Sequence, residues 1–294
     1  MGQAGASAGA IQFHYDLGNE FYGLWLDPLM VYSCALWSDD PDDDLETAQR
    51  RKIEWHLGQA GASGCDTLLD VGCGWGALLR HAVSHYGVRR AVGLTLSQSQ
   101  ADHVTAIGPS NVQAQLQAWQ DHHPERPYDA IISIGAFEHF ADLKQNESSK
   151  LAAYRSFFQF CHRSLVMGGR LSLQTITYGT SDRRSFSPFF SDQVFPESDL
   201  PHLAEIVTAA EQLFEVMILQ NDREHYARTL RAWLERLQSN RREAERLVGQ
   251  AKVSIYEKYM KLMLLGFHSG SMNLARIGLR RIGQVSVDDD HAST

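Results

Sequence analysis

Seven residues set the terms for the whole chain. Asp70-Val71-Gly72-Cys73-Gly74-Trp75-Gly76 follows an apolar run that begins at Thr67, and it leads into a helix candidate, Ala77 to Tyr86. An apolar strand entering a glycine turn that opens a helix is the βα unit of an α/β fold. Glycine permits the tight backbone and lets a ligand lie against it, and the helix beyond supplies N–H groups. The spacing narrows the ligand. A dinucleotide fold carries G-x-G-x-x-G, whose last glycine allows close helix–strand packing around a pyrophosphate. This chain reads G-x-G-x-G with an acidic residue just before it. That form suits a cofactor with a cationic amino-acid end and no phosphate, and Asp70 can face the ammonium of its methionine part, directly or through water.

The pattern repeats downstream. Arg90 to Thr95 is a second apolar run with a helix candidate from Ser97 to Ile107, and Asn111 to Leu116 is a weaker strand. Tyr128 onward (YDAIISIGAFEHF) is a further apolar run. Residues 151–165 form an amphipathic helix and Arg170 to Thr177 another strand. Strands alternating with helices imply parallel βαβ units with right-handed crossovers. Helices resume over 203–213, 225–249 and 251–266, and Phe214 to Gln220 and Ala275 to Ile282 supply the last two strands. The expected fold is α/β and doubly wound, with a mostly parallel seven-stranded sheet, N-terminal helices and an inserted cap.

Within one domain over 1–294, residues 11–57 read as a helical lid, 67–177 as the cofactor-binding core and 178–213 as a substrate cap. Phe186, Phe189, Phe190 and Phe195 argue for the cap, because such clustered aromatic surface is costly in water. Asp39 to Asp44 is an acidic turn placed to cap the helix from Leu45. The second strand ends Gly93-Leu94-Thr95-Leu96-Ser97. Many nucleotide sites place an acid there for the ribose hydroxyls. This chain has Thr95, and Gln100, one turn into the next helix, can take that role.

Composition closes off other classes. The formal charge is −8, from 35 acidic and 27 basic residues, so a nucleic-acid binder is not expected. The four cysteines Cys34, Cys65, Cys73 and Cys161 form no CxxC pair and no zinc-type cluster, which fits reduced thiols and a cytoplasmic protein. The MGQAGASAGA start is not a signal peptide and reads, like the VSVDDDHAST end, as a frayed terminus. No uninterrupted apolar stretch of about 18 residues predicts a membrane span.

HYDLGNEFYGLWLDP (14–28), YSCALW (32–37), LLDVGCGWGALL (68–79), GLTLSQSQ (93–100), SIGAFEHF (133–140), HYARTL (225–230) and YEKYMKL (256–262) together carry a family likeness. From about His14 to Ile282 the chain resembles the cyclopropane-fatty-acid synthase and mycolic-acid methyltransferase family. The resemblance implies S-adenosylmethionine (SAM) as cofactor, contacted by Tyr32, Ser33, Gly72, Gly74, Thr95, Leu96, Gln100 and Trp119, with Trp119 beside the adenine. Asp70, Cys73 and Ile134 complete the candidate cofactor set. It also implies a bicarbonate ion as base, bound through Cys34, Glu138, Tyr226 and a histidine on the following strand. Where the family reads roughly Leu-His-Thr-Ile, this chain reads Leu173-Gln174-Thr175-Ile176. Gln174 hydrogen-bonds but carries no charge near pH 7, so an anion there would rest on a neutral donor. FPESDLP (195–201) replaces a longer P-G-G-x-L-P segment of the lipid enzymes, which points away from a membrane phospholipid substrate.

An alkene attacking an activated methyl leaves a carbocation, which needs a π-rich or negative surround and then a base. Glu138, Tyr226, Tyr32, Trp25 and Trp37 fit such a pocket, with His139 either catalytic or a structural hydrogen bonder. Arg183, Arg184 and Arg228 are candidates for an anionic substrate group. The leading expectation is C-methylation of an alkene-containing or electron-rich small or lipid-like molecule. Cyclopropanation, N-methylation of a small amine and a non-methylating SAM-binding cyclase are the alternatives.

Overall fold

The computed structural model describes residues 17–183 and 198–283. The expectations for residues 11–16, the four cap phenylalanines, Arg184 and the VSVDDDHAST end lie outside them. The strands are β1 (Thr67–Val71), β2 (Arg90–Thr95), β3 (Val112–Leu116), β4 (Tyr128–Ile134), β5 (Leu165–Tyr178), β6 (Phe214–Asn221) and β7 (Met272–Arg281). The helices are α1 (Asn19–Gly23), α2 (Leu45–Gln59), α3 (Ala77–His85), α4 (Gln98–Ile107), α5 (Glu147–Ser164), α6 (Leu203–Ala210), α7 (Arg223–Ser239), α8 (Arg241–Val248) and α9 (Gln250–Ser269).

The strands form one sheet in the order β3-β2-β1-β4-β5-β7-β6, parallel throughout except that β7 runs antiparallel between β5 and β6. Central parallel strands are covered on both faces and therefore read as unbroken apolar runs. Leu68 and Leu69 in β1 and Ala130, Ile131 and Ile132 in β4 are fully buried. Because side chains alternate along a strand, Leu68 joins Ile53, Leu57, Leu79 and Val104 under α2, α3 and α4. Leu69 joins Phe157, Phe158, Phe160 and Ile206 under α5 and α6 on the other face. A third cluster, from α1, α7, α8 and α9, meets the sheet through Trp75, Ile176, Met272 and Leu274, where β1 and β5 end. The strand order reverses between β1 and β4, so the crevice beyond their carboxyl ends is where an open α/β sheet binds ligands.

The departures from expectation are local. The lid region is less helical than predicted: between α1 and α2 the chain is irregular. Asp44 does cap α2, accepting from Thr47 N at 2.8 Å. The helix expected over 225–249 is two helices, broken at Asn240, whose Nδ2 donates to Leu24 O at 2.8 Å and ties the break to the chain after α1. α5 begins at Glu147, because Asn146 accepts from Ser149 N. Of the expected cap, the return segment is pinned by buried Asp199, which accepts from Tyr178 Oη at 2.7 Å and pairs with Lys150 at 3.2 Å. None of the helices among the described residues is long and apolar enough to cross a membrane.

Candidate active site

β1 delivers the chain to the crevice, and the turn that follows is shaped by its glycines. Gly72 has φ +85°, and a Cβ there would lie 2.6 Å from Ala136 Cβ, so the first turn glycine admits no side chain. Gly74 has φ +53° with nothing within 4 Å of its Cβ position. Both line a cavity of ≈ 1180 Å³, its open mouth included. Asp70, the last but one residue of β1, is buried, and its Oδ1 has no hydrogen-bond partner among the described residues. Burial pushes its carboxyl up to about 7, against the pull of Lys52. Lys52, from α2, donates to Ser33 Oγ at 2.8 Å in the same cavity wall. At the far end, Thr95 Oγ1 donates to Gln100 Oε1 at 2.7 Å. This sets the amide so that its NH₂ remains a donor. Trp119 sits in a short 3₁₀ turn, packed against Phe140, Phe157 and Phe160 with ring centroids 5.4–5.6 Å apart.

Every predicted cofactor residue lines this one cavity: Tyr32, Ser33, Asp70, Gly72, Cys73, Gly74, Thr95, Leu96, Gln100, Trp119 and Ile134. The residues fit SAM. An orphaned buried carboxylate oxygen suits an ammonium, the open space at Gly74 suits a close-lying chain, and the aromatic and amide end suits a nucleoside.

The predicted catalytic residues are more dispersed, and among them only His139 lines the cavity. Its Nδ1 is 2.7 Å from Ser198 Oγ and burial lowers its pKa to about 4, so it is a neutral hydrogen bonder. Glu138 lies behind the wall. Its Oε2 accepts from Thr175 Oγ1 at 2.9 Å, and its Oε1 is 3.9 Å from where a Gly135 Cβ would stand, next to Ser33. Burial raises it to about 7. Tyr32, which lines the cavity, donates to Tyr259 Oη at 3.4 Å. Tyr259 in turn feels the Glu138 charge. Tyr226 stacks on Phe267 at 4.5 Å within the helical cluster, away from the cavity lining.

Cys34 and Gln174 are brought together by a residue that the sequence reading missed. Arg276, fully buried in β7, donates through Nε to Gln174 Oε1 at 2.8 Å, and its Nη2 reaches Ala35 O at 3.0 Å and Cys34 Sγ at 3.5 Å. Asp222 pairs with the same guanidinium. Arg276 and Asp222 thus form a buried ion pair that fixes the Gln174 amide and the chain at Cys34 and Ala35. Burial pushes the Cys34 thiol up to about 11, so it stays protonated. His56, also missed, lies 2.7 Å from Ser172 Oγ and 3.3 Å from Gln174 Oε1.

Other candidates take structural positions. Trp25 belongs to the aromatic wall, 5.1 Å from Tyr32 and 5.7 Å from Trp233. Trp37 does not: its Nε1 donates to Thr229 and its ring lies under Arg228 at 4.2 Å. Arg228 donates to the carbonyls of Ser38 and Asp43, which accounts for it without an anionic ligand. Arg183 faces Asp199 and the carbonyl of Gln145. His225 accepts from Trp37 N at 3.0 Å.

Residues 3–277 match the family model described as mycolic acid cyclopropane synthetase. Cyclopropane mycolic acid synthase 3 of Mycobacterium tuberculosis is 35% identical over 298 residues, covering 95% of this chain and 96% of that protein. Among solved structures, the cyclopropane synthase MmaA2 from Mycobacterium tuberculosis aligns with TM-score 0.84 and 32% identity, covering 95% of this chain and all of that one. The mycolic acid cyclopropane synthase CmaA1, solved in complex with SAH and CTAB, aligns with TM-score 0.83 and 34% identity over the same shares.

Proposed function

The chain belongs to the mycolic acid cyclopropane synthetase family and is a SAM-dependent enzyme, and from that premise we propose that it converts an alkene of a lipid-like substrate into a cyclopropane. The sequence reading put simple C-methylation first. Likeness to cyclopropane synthases over nearly the whole chain favours ring closure instead. The two reactions share their first bond and differ in which proton leaves.

SAM supplies an electrophilic methyl group on a sulfonium. The chain's own residues then have three tasks. Asp70, Gly72, Gly74, Gln100 and Trp119 hold and aim the donor, which lowers the entropic part of the barrier. Tyr32 and the rings behind it, Tyr22, Trp25, Trp75 and Trp233, with centroids 5.1–5.7 Å apart from neighbour to neighbour, give the substrate cation a dry, π-rich wall. Glu138, whose Oε1 stands 3.9 Å from the Cβ position of cavity-lining Gly135, takes up over that bare glycine the proton lost from the newly attached methyl group as the second ring bond forms. A carboxyl poised near 7 is matched to that work. Bicarbonate, which the family likeness implies, would be held by Cys34, Gln174, Glu138 and Tyr226, with Arg276, itself paired with Asp222, positioning Cys34 and Gln174.

The observation that carries this reading is the buried Glu138, fixed by Thr175 directly behind the donor cavity. The test is incubation with methyl-¹³C SAM and cis-monounsaturated acyl chains, followed by NMR of the product. A labelled cyclopropane methylene is expected. A labelled vinylic or branched methyl group would overturn ring closure in favour of C-methylation, and label on nitrogen in an amine substrate would overturn both.

A further inference from the structure

α2 is amphipathic, yet the stripe it buries contains Gln49, Lys52 and His56 alongside Leu45, Ala48, Ile53 and Leu57. Gln49 holds the main chain of the loop, donating to the carbonyls of Ser33 at 2.9 Å and Val31 at 3.3 Å. His56 holds β5 through Ser172. Lys52 does something different. It is 1% exposed, and its Nζ donates to Ser33 Oγ at the cavity wall. An ammonium has three donors; the hydroxyl takes one, while Asp27 and Asp70 act on its charge without a direct ion pair. Across the same cavity, Asp70 is 3% exposed with Oδ1 unpartnered among the described residues.

Two opposite charges, each desolvated, thus face one pocket. A fold retains such groups only where something answers them. Internal compensation is available elsewhere in this molecule: buried Lys150 pairs with both Asp199 and Glu205. A ligand that carries an ammonium and a carboxylate on one carbon answers Asp70 and Lys52 at once.

We propose that Lys52, with Ser33, binds the carboxylate of the amino-acid end of the methyl donor, while Asp70 takes its ammonium. This rests on the SAM reading above and names the group that reads the donor's charged end. The groups around Lys52 are Asp70 on β1, Arg276 on β7, and Asp27 and Cys34 on the chain before α2. Burial first and Arg276 second lower Lys52 to about 7, while Cys34, Asp27 and Asp70 oppose the shift. Near neutral pH the lysine is therefore only partly charged without a ligand, and binding a carboxylate draws a proton onto it.

Calorimetric titration tests this with three ligands: S-adenosylhomocysteine, its analogue lacking only the carboxyl group, and 5′-deoxy-5′-methylthioadenosine, which lacks the amino-acid end. In Lys52→Met, affinity for S-adenosylhomocysteine should fall by about ten- to a hundredfold, while 5′-deoxy-5′-methylthioadenosine binds as it does to the wild type and the decarboxylated analogue changes by far less than S-adenosylhomocysteine. Unchanged affinity for S-adenosylhomocysteine, or equal losses for all three ligands, overturns the proposal. Should the variant fail to fold, the wild type alone gives the answer. Its preference for S-adenosylhomocysteine over the decarboxylated analogue should decline between about pH 7 and pH 8.5, approaching tenfold per unit, because the Asp70 contribution is common to both ligands and cancels. A flat ratio overturns the assignment of Lys52. A wild type that binds none of the three overturns the donor-site reading itself.

Discussion

The two glycines of the turn should fail in different ways when each receives a side chain. At Gly72 the backbone has φ +85° and an added Cβ meets Ala136 Cβ at 2.6 Å. Left-handed backbone costs an L-residue about 1–2 kcal/mol, and forcing a methyl group into packed atoms adds about 1–3 kcal/mol. Gly72→Ala should therefore lose about 2–5 kcal/mol, which for a chain of this size lowers the melting temperature by roughly 5–15 °C. At Gly74 the backbone has φ +53° and the added Cβ meets nothing within 4 Å. Only the backbone cost of about 1–2 kcal/mol remains, so Gly74→Ala should melt within roughly 6 °C of the wild type. The defect there should appear in binding, because Gly74 lines the cavity. Gly74→Val should remain folded and lose S-adenosylhomocysteine affinity by more than about tenfold, a loss of over ~1.4 kcal/mol. Thermal melts without ligand and titration of the surviving variants separate the two failures. A Gly72→Ala protein as stable as the wild type would refute the packing argument, and a Gly74→Val protein with wild-type affinity would refute the assignment of the turn as a ligand cradle.

Glu138→Gln should lower turnover by about 10²–10⁴-fold while S-adenosylhomocysteine affinity stays within about threefold, since Glu138 lies behind rather than in the cavity lining. Burial has moved this carboxyl from its usual range up to about 7, and the active form of a base is the deprotonated one. In the wild type with SAM saturating, so that titration of Lys52 and Asp70 in the free site does not enter, kcat should thus rise with pH up to about 7 and level off above it, and that limb should vanish in the glutamine variant. Arg276→Met removes the partner of Asp222 and the donor to Gln174. It should cost about 3–5 kcal/mol in denaturant titration, and a wild-type midpoint would show that the buried guanidinium is not the organiser of Cys34 and Gln174.

The cofactor half of the site was legible in the sequence because it is local. Asp70 to Gly76 occupy one strand–turn–helix, and Thr95 and Gln100 recur at the matching point of the next βα unit, so position along the chain stands for position in space. The proton-accepting half is assembled from distant elements. Glu138 follows β4, Thr175 is in β5, and Tyr259 is in α9. Periodicity carries no information on which of these approach one another. The same holds for Arg276. In β7 it alternates with Ala275 and Ile277 and is in phase with Leu274 and Gly278, which reads as an outward polar residue on a half-exposed strand. That face is in fact covered: Met272 and Leu274 on it pack into the cluster from α1, α7, α8 and α9, and Arg276 meets Ala35 and Asp222 there.

α2 held a signal that went unread. In LETAQRRKIEWHLGQ the polar residues Gln49, Lys52 and His56 fall on the same stripe as Leu45, Ile53 and Leu57, whereas a helix that merely covers a sheet keeps that stripe apolar. Polar groups in phase with the apolar face are either satisfied internally or waiting for a ligand, and the partner census distinguishes the two. His56 has Ser172 and Gln174, Arg276 has Asp222, and Gln49, which is uncharged, gives its amide N–H groups to two carbonyls while its Oε1 has no partner among the described residues. Those residues build the scaffold. Lys52 has one hydroxyl and Asp70 Oδ1 has none among the described residues, and both of these residues border the cavity. The unbalanced charges therefore mark the ligand more sharply than the conspicuous aromatics do, because an aromatic ring is equally content in a core, whereas a desolvated charge is stable only against its counter-charge.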